Sequence, residues 1–210
     1  MSLGTIVDPN QHDRFILQQR FRFVANQYEF SLPGPDDAPG QVFCFVRQKM
    51  FKFREDVRFF TDDTMRTEVM RIKARQRFDP SATYDVTTPD GTVIGRFQKA
   101  FGRSLLRSTY LLFDATGTQV AVATEQSRGV AFLRRIVGLI PYIENFANWL
   151  PIPYHFVFVR GENQVIGHHR RQLWKLRDTY TLDLTDDRER VLDRRLALAL
   201  AVGMDAFQAR

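Results

Sequence analysis

The sequence predicts an all-β domain with helices: a closed antiparallel barrel of roughly twelve strands enclosing an apolar C-terminal helix. Three observations carry that expectation. Phe recurs in alternating pairs, Phe21 and Phe23, Phe43 and Phe45, Phe51 and Phe53, Phe156 and Phe158. A spacing of two puts both rings of a pair on one face of an extended strand. A strand–turn–strand unit then repeats, most clearly in Thr83-Tyr84 with Gly91, Thr109-Tyr110 with Gly117, and Leu176-Arg177-Asp178-Thr179-Tyr180 against Leu106-Arg107-Ser108-Thr109-Tyr110. Such a unit cannot bury its own apolar face, so the copies must close on one another. Finally, Leu196 to Met204 is apolar without a break, and a helix apolar all round is enclosed by protein or lipid.

The elements follow in chain order. Residues 1–13 read as an N-terminal extension and 14–210 as one barrel domain. Pro33-Gly34-Pro35-Asp36-Asp37-Ala38-Pro39-Gly40 is read as a surface loop. Cys44 lies between Phe43 and Phe45, where alternation assigns it to the face opposite both rings. Asp90-Gly91 reads as a two-residue type I′ hairpin turn, and Thr116-Gly117 and Arg160-Gly161-Glu162-Asn163 as equivalent turns. Residues 129–150 form a helix-compatible insertion, with Phe132, Ile136, Leu139 and Ile140 at helical spacing and Pro141 forcing a kink or stop. A central helix is expected over 187–208, opened by a capping box of Asp186 and Glu189. Its buried stripe runs through Leu192, Leu196, Leu200, Gly203 and Phe207. A closed sheet of about twelve strands has an interior wide enough to need such a filler.

Composition bounds the function. At 210 residues, with 44% hydrophobic and 26% charged residues, the chain has ordinary globular composition. The single cysteine, Cys44, excludes an internal disulfide framework and fits a reducing compartment. No basic, apolar and small-residue stretch opens the chain, so a cytoplasmic protein is expected. The nine-residue run Leu196 to Met204 is under half of a bilayer crossing. The net charge of +6 suits an anionic partner such as a lipid headgroup, while solubility alone accounts for the same excess.

The sequence resembles the tubby-like superfamily, in its bacterial and plant LURP-one-related branch and more distantly in the phospholipid scramblases. The likeness is carried by Phe45-Val46-Arg47-Gln48-Lys49, Thr83 to Arg96, Leu176 to Leu184 and Leu196 to Phe207, and spans residues 14–208. It implies the barrel-around-a-helix fold and binding of phospholipid headgroups at the membrane surface, peripheral to its inner face. In scramblases a calcium-binding stretch precedes the final helix; Asp183, Asp186 and Asp187 occupy that region here. They lack the ligand spacing and turn glycine of an EF-hand loop, and helix capping explains the same residues.

No phosphate-binding glycine loop, dinucleotide fingerprint or nucleophile elbow occurs, so no enzymatic activity and no cofactor are expected. The candidate headgroup-binding residues fall in two places. His168-His169-Arg170-Arg171 is a basic, pH-sensitive cluster, although adjacent strand residues point to opposite faces and a solvated strand end explains it equally. Arg128, Arg134, Arg135 and Trp149 flank apolar residues of the insertion, as at a membrane interface; a helix covering the barrel explains them too. The alternative function is a soluble protein-interaction or structural barrel with no lipid role. Single-stranded nucleic-acid binding would need exposed aromatics beside cations, and the alternation turns the aromatics inward.

Overall fold

The computed structural model describes residues 7–20, 25–49, 57–75, 83–100, 108–126, 155–172 and 178–208. Twelve strands form one closed antiparallel barrel in which each is hydrogen-bonded to its neighbours in sequence, and β1 (Arg14–Arg20) closes onto β12 (Thr179–Asp183). Between them run β2 (Ala25–Pro33), β3 (Pro39–Lys49), β4 (Val57–Phe60), β5 (Glu68–Ala74), β6 (Thr83–Thr87), β7 (Val93–Lys99), β8 (Thr109–Asp114), β9 (Gln119–Glu125), β10 (His155–Arg160) and β11 (Gln164–Gln172). A single described α-helix, α1 (Arg194–Gln208), follows β12. The expected barrel and its C-terminal filler are therefore present.

Strict up-and-down order sorts the connections onto two rims. The turns after β2, β4, β6, β8 and β10, the segment from β12 to α1 and residues 7–13 share one rim. At the opposite rim β6, β8 and β12 begin with the three Thr-Tyr pairs of the sequence repeat. Tyr84, Tyr110 and Tyr180 all turn inward, between 0% and 6% exposed, so the repeat marks where strands re-enter the core.

The helix threads the barrel from the first rim. Leu196 through Val202 and Met204 are at most 1% exposed, and each buried Leu contributes roughly 1.5–3 kcal/mol of transfer free energy. Close approach needs glycine on the wall: a Cβ on Gly95 would lie 2.9 Å from Leu196 Cδ2 and 2.6 Å from Phe113 O. Leu192 is buried ahead of the helix, and Gly203 is enclosed within it. Phe207 falls within the helical span, its side chain outside the described residues.

Four local expectations change. The helix starts at Arg194 rather than 187, because Asp193 accepts from Arg195 N at 2.8 Å and takes the cap. Asp187 instead accepts from Val191 N and Leu192 N and pairs with Arg194, and Asp186–Glu189 makes no capping box. The loop after β2 shrinks to 34–38, since Pro33 and Pro39 are register partners in the sheet. The Asp90-Gly91 turn is not type I′: Gly91 N donates to Thr88 O, and only Gly91 has positive φ (+94°). Pro89 at the second turn position imposes negative φ, giving a type I turn closed by a left-handed glycine. In β3, Cys44 pairs with Phe30 and Val42 with Ser31, leaving Phe43 as an extra residue. That bulge turns both Phe43 and Cys44 toward the core, while Phe45 stays half-buried opposite Phe60.

The insertion at 129–150, and with it Phe132, Ile136, Leu139, Ile140 and Pro141, lies outside the described residues. So do Phe21, Phe23, Phe51 and Phe53.

Candidate anion-binding surface

Cross-strand register builds a feature that sequence spacing conceals. Arg47 of β3 pairs with Arg58 of β4, and Arg58 with Arg71 of β5. Each sits between inward-facing neighbours, Val46, Val57 with Phe59, and Met70 with Ile72, so all three are on the outer face. Neighbouring strands are about 4.8 Å apart, and like charges directly opposite on a sheet are destabilising. Glu68 relieves part of this, accepting from Arg71 Nε at 2.5 Å and lying 3.5 Å from Arg58 Nη1. Arg47 is exposed and makes no ion pair among the described residues. Lys73 continues the cationic face beyond Arg71 and is also exposed.

The His168–Arg171 run divides by strand alternation. His168 and Arg170 face outward, half-buried and exposed respectively, whereas His169 is fully buried. His169 stacks on Tyr180 with ring centroids 5.3 Å apart, and its two ring nitrogens have no hydrogen-bond partner among the described residues. Burial pushes its imidazole down to about 3, with His155 adding a smaller push. Arg171 is held in an ion pair with Asp178. A residue not anticipated joins the outward pair: His155 is the register partner of Arg170, while His168 pairs with Val157 beside it. Burial first and Arg170 second hold both His155 and His168 below the ordinary imidazole range; Asp186 and Asp183 oppose this at His168. At neutral pH this patch is therefore a single guanidinium flanked by two neutral rings.

Two of the three aspartates considered for calcium have other partners. Asp183 accepts from Thr185 N and Oγ1 and lies 3.2 Å from Arg14 Nε. Asp187 is buried against Arg194, with Nη1 at 2.6 Å from Oδ2; Asp186 is exposed. No group of three or more His, Cys, Asp or Glu able to hold a metal occurs among the described residues. Arg128, Arg134, Arg135 and Trp149 lie outside the described residues.

The family model described as LURP-one-related matches residues 42–205, more than three-quarters of the chain. The chain belongs to the LURP-one-related family. The closed barrel around a terminal helix is the tubby-like architecture implied by the resemblance. No curated protein matches the chain. The matched span contains the whole arginine row, His155 and the outward half of the histidine cluster. Arg47 and His168 lie in segments singled out by sequence. Arg58, Arg71 and His155 were missed because nothing in the linear spacing reveals which strands lie side by side.

Proposed function

We propose that this LURP-one-related barrel is a non-catalytic module that binds anionic phospholipid headgroups, peripheral to the cytoplasmic face of a membrane. The observation carrying this reading is the outward row Arg47–Arg58–Arg71. Guanidinium groups present planar donor forks that fit phosphate oxygens, so a phosphate ligand relieves a repulsion the free surface must bear. The patch of His155, His168 and Arg170 is a second, weaker anion site on this reading. Its rings lie below the ordinary imidazole range, so acid strengthens it.

Catalysis is not part of the proposal. The one thiol, Cys44, is buried, and desolvation pushes it up to about 12, which leaves no thiolate near neutrality. The reducing compartment suggested by a single cysteine supports the cytoplasmic assignment. No helix among the described residues is long and apolar enough to cross a membrane.

Vesicle flotation tests the proposal, using phosphatidylcholine alone and with phosphatidylserine or a phosphoinositide, at low and moderate salt, with and without calcium. Flotation that requires anionic lipid and weakens with salt is expected. The double variant Arg47→Ala/Arg58→Ala should lose most of it, since both side chains are solvent-exposed and removable without opening the core. Failure to float under every condition would sink the proposal and favour the protein-interaction barrel. A requirement for calcium would revive the calcium reading of Asp183, Asp186 and Asp187.

A further inference from the structure

The topology separates charge along the barrel axis. On the rim shared by the β2–β3, β4–β5, β6–β7, β8–β9, β10–β11 and β12–α1 connections, those connections and residues 7–13 contain twelve Asp and Glu against three Arg. Adjoining strand and helix ends hardly alter this, because Arg14, Arg160, Arg194 and Arg195 are countered by Glu68, Asp114 and Asp183. The whole chain is nevertheless +6, so the cationic excess lies elsewhere. Arg20, Arg47, Arg75, Lys99, Arg170 and Arg171 all stand in the last residues of their strands, or just past them, at the opposite rim. Some are paired there, Arg20 with Glu29, Arg75 with Asp85 and Arg171 with Asp178.

We infer that the barrel docks end-on, with the cationic rim against an anionic phospholipid surface and the acidic rim turned away from it. This inference rests on the headgroup-binding reading above and adds an orientation to it. A seven-residue strand rises about 23 Å, or about 17 Å along the axis of a barrel whose strands tilt by about 40°, which is about twice the Debye length of about 8 Å at physiological ionic strength. A charged surface therefore responds to the nearer rim and hardly registers the farther one. The net charge does not choose the orientation; the separation of charge does. The arginine row agrees, since Arg58 is the second residue of β4 and Arg47 is two short of the end of β3, both on the cationic side.

The experiment places single cysteines on exposed positions of the full chain: Ala115→Cys and Asn163→Cys on the acidic rim, Ala100→Cys and Gln126→Cys on the other. Cys44 can stay, because its buried thiol is pushed up to about 12 and does not compete for label. Each variant carries an environment-sensitive fluorophore and is mixed with phosphatidylcholine/phosphatidylserine vesicles containing a spin-labelled quencher lipid. Quenching at positions 100 and 126, with none at 115 and 163, is the expected result. Quenching at 115 or 163 in protein that floats would overturn the orientation while leaving headgroup binding intact. Wild-type protein that does not float defeats the headgroup reading, and the orientation with it.

A second arm adds Asp63→Lys and Glu162→Lys together, both on exposed turns of the acidic rim. End-on docking predicts vesicle affinity unchanged within about twofold, because that rim lies beyond the screening length. A gain of tenfold or more would show that net charge governs binding, and would overturn the inference.

Discussion

The acidic rim and the tyrosine rim of this barrel use polar residues for opposite purposes. At the acidic rim the carboxylates bond to their own turns: Asp62 accepts from Thr64 N, Asp90 from Thr92 N, Asp114 from Thr116 N and Thr118 N, and Asp183 from Thr185 N. Hydroxyl hydrogen bonds from Thr64, Thr88 and Thr116 are the main reason that Asp62, Asp90 and Asp114 ionise below the ordinary carboxylate range. At the other rim a second set of polar groups turns inward, beneath the outward-facing cations. Gln19, Tyr28, Tyr84, Tyr110, Glu125, His169 and Tyr180 are all 6% exposed or less. The difference teaches that a run of acidic residues in this fold is turn chemistry before it is a ligand set. The demanding chemistry is inside the barrel.

The largest expected effect tests the helix that enters from the acidic rim and fills the core. Leu196 and Leu200 are 1% and 0% exposed, so Leu196→Asp or Leu200→Asp places an unpaired carboxylate where no water reaches. That costs several kcal/mol, most of the roughly 5–15 kcal/mol by which a domain is stable. Neither variant should give a folded protein by near-ultraviolet circular dichroism. A folded variant of unchanged stability would mean the helix is not enclosed.

Next in size is the buried ion pair that fastens the acidic rim. Arg194, 1% exposed, reaches Asp187 Oδ2 at 2.6 Å, Asp13 Oδ1 at 2.7 Å and Leu192 O at 2.8 Å, while its backbone N–H donates to Asn10 Oδ1. It ties residues 7–13, the segment after β12 and the first turn of α1 into one knot. Arg194→Met strands the buried Asp187 carboxylate and should cost about 3–5 kcal/mol in urea unfolding. Adding Asp187→Asn should restore part of the loss, because the uncompensated charge is then gone. A double variant no better than the single one would show that hydrogen bonds to backbone carbonyls, rather than the charge pair, hold the knot.

How far the sequence revealed these features depends on whether they are local or cross-strand. The Thr-Tyr strand starts and the apolar run of α1 are local, and both are where the residues indicated. The arginine row is cross-strand. Arg47, Arg58 and Arg71 share no motif, and only the register of β3, β4 and β5 aligns them. His155 joined His168 and Arg170 for the same reason. The start of α1 was misplaced because Asp186 and Glu189 have capping spacing, while the Asp187–Arg194 pair that decides the geometry spans two elements. Cys44 turned inward through a bulge, which alternation cannot foresee.

The tyrosine rim has its own probe in pH. His169 is neutral in the fold, held down to about 3 by burial, against about 6.5 in an unfolded chain. Between these values the unfolded state binds a proton that the folded state refuses. The stability is therefore fully present above about pH 6.5 and lost as pH falls below it, at about 1.4 kcal/mol per pH unit. Around His169 stand Tyr180, Phe156, Leu182 and His155, and His169→Phe keeps the stacking on Tyr180 without the proton. Wild type should lose about 2–3 kcal/mol more than His169→Phe between neutrality and about pH 4.5. Parallel pH profiles for the two proteins would show that His169 gains a proton partner on folding.

The smallest effect isolates backbone strain at the acidic rim. Gly91 sits at φ +94°, and a Cβ there would touch nothing within 4 Å. Any penalty for Gly91→Ala is therefore conformational: roughly 1 kcal/mol for a non-glycine residue in the left-handed region, or about 2–4 °C in melting temperature for a chain of this size. Gly91→Asn should fall between the two, because Asn tolerates that region better than Ala. Gly117, at φ +89°, differs in one respect, since its Cβ would meet Arg96 Nη2 at 3.3 Å. Arg96 lies with its guanidinium carbon 4.8 Å from the centre of the Phe113 ring, and Gly117→Ala would press on that stack. Gly117→Ala should therefore exceed Gly91→Ala by the share of the cation–π contact it disturbs, about 0.5–1 kcal/mol at an exposed site. Equal losses at the two positions would mean that Arg96 moves aside freely, and that the turns contribute only their backbone conformation to the acidic rim.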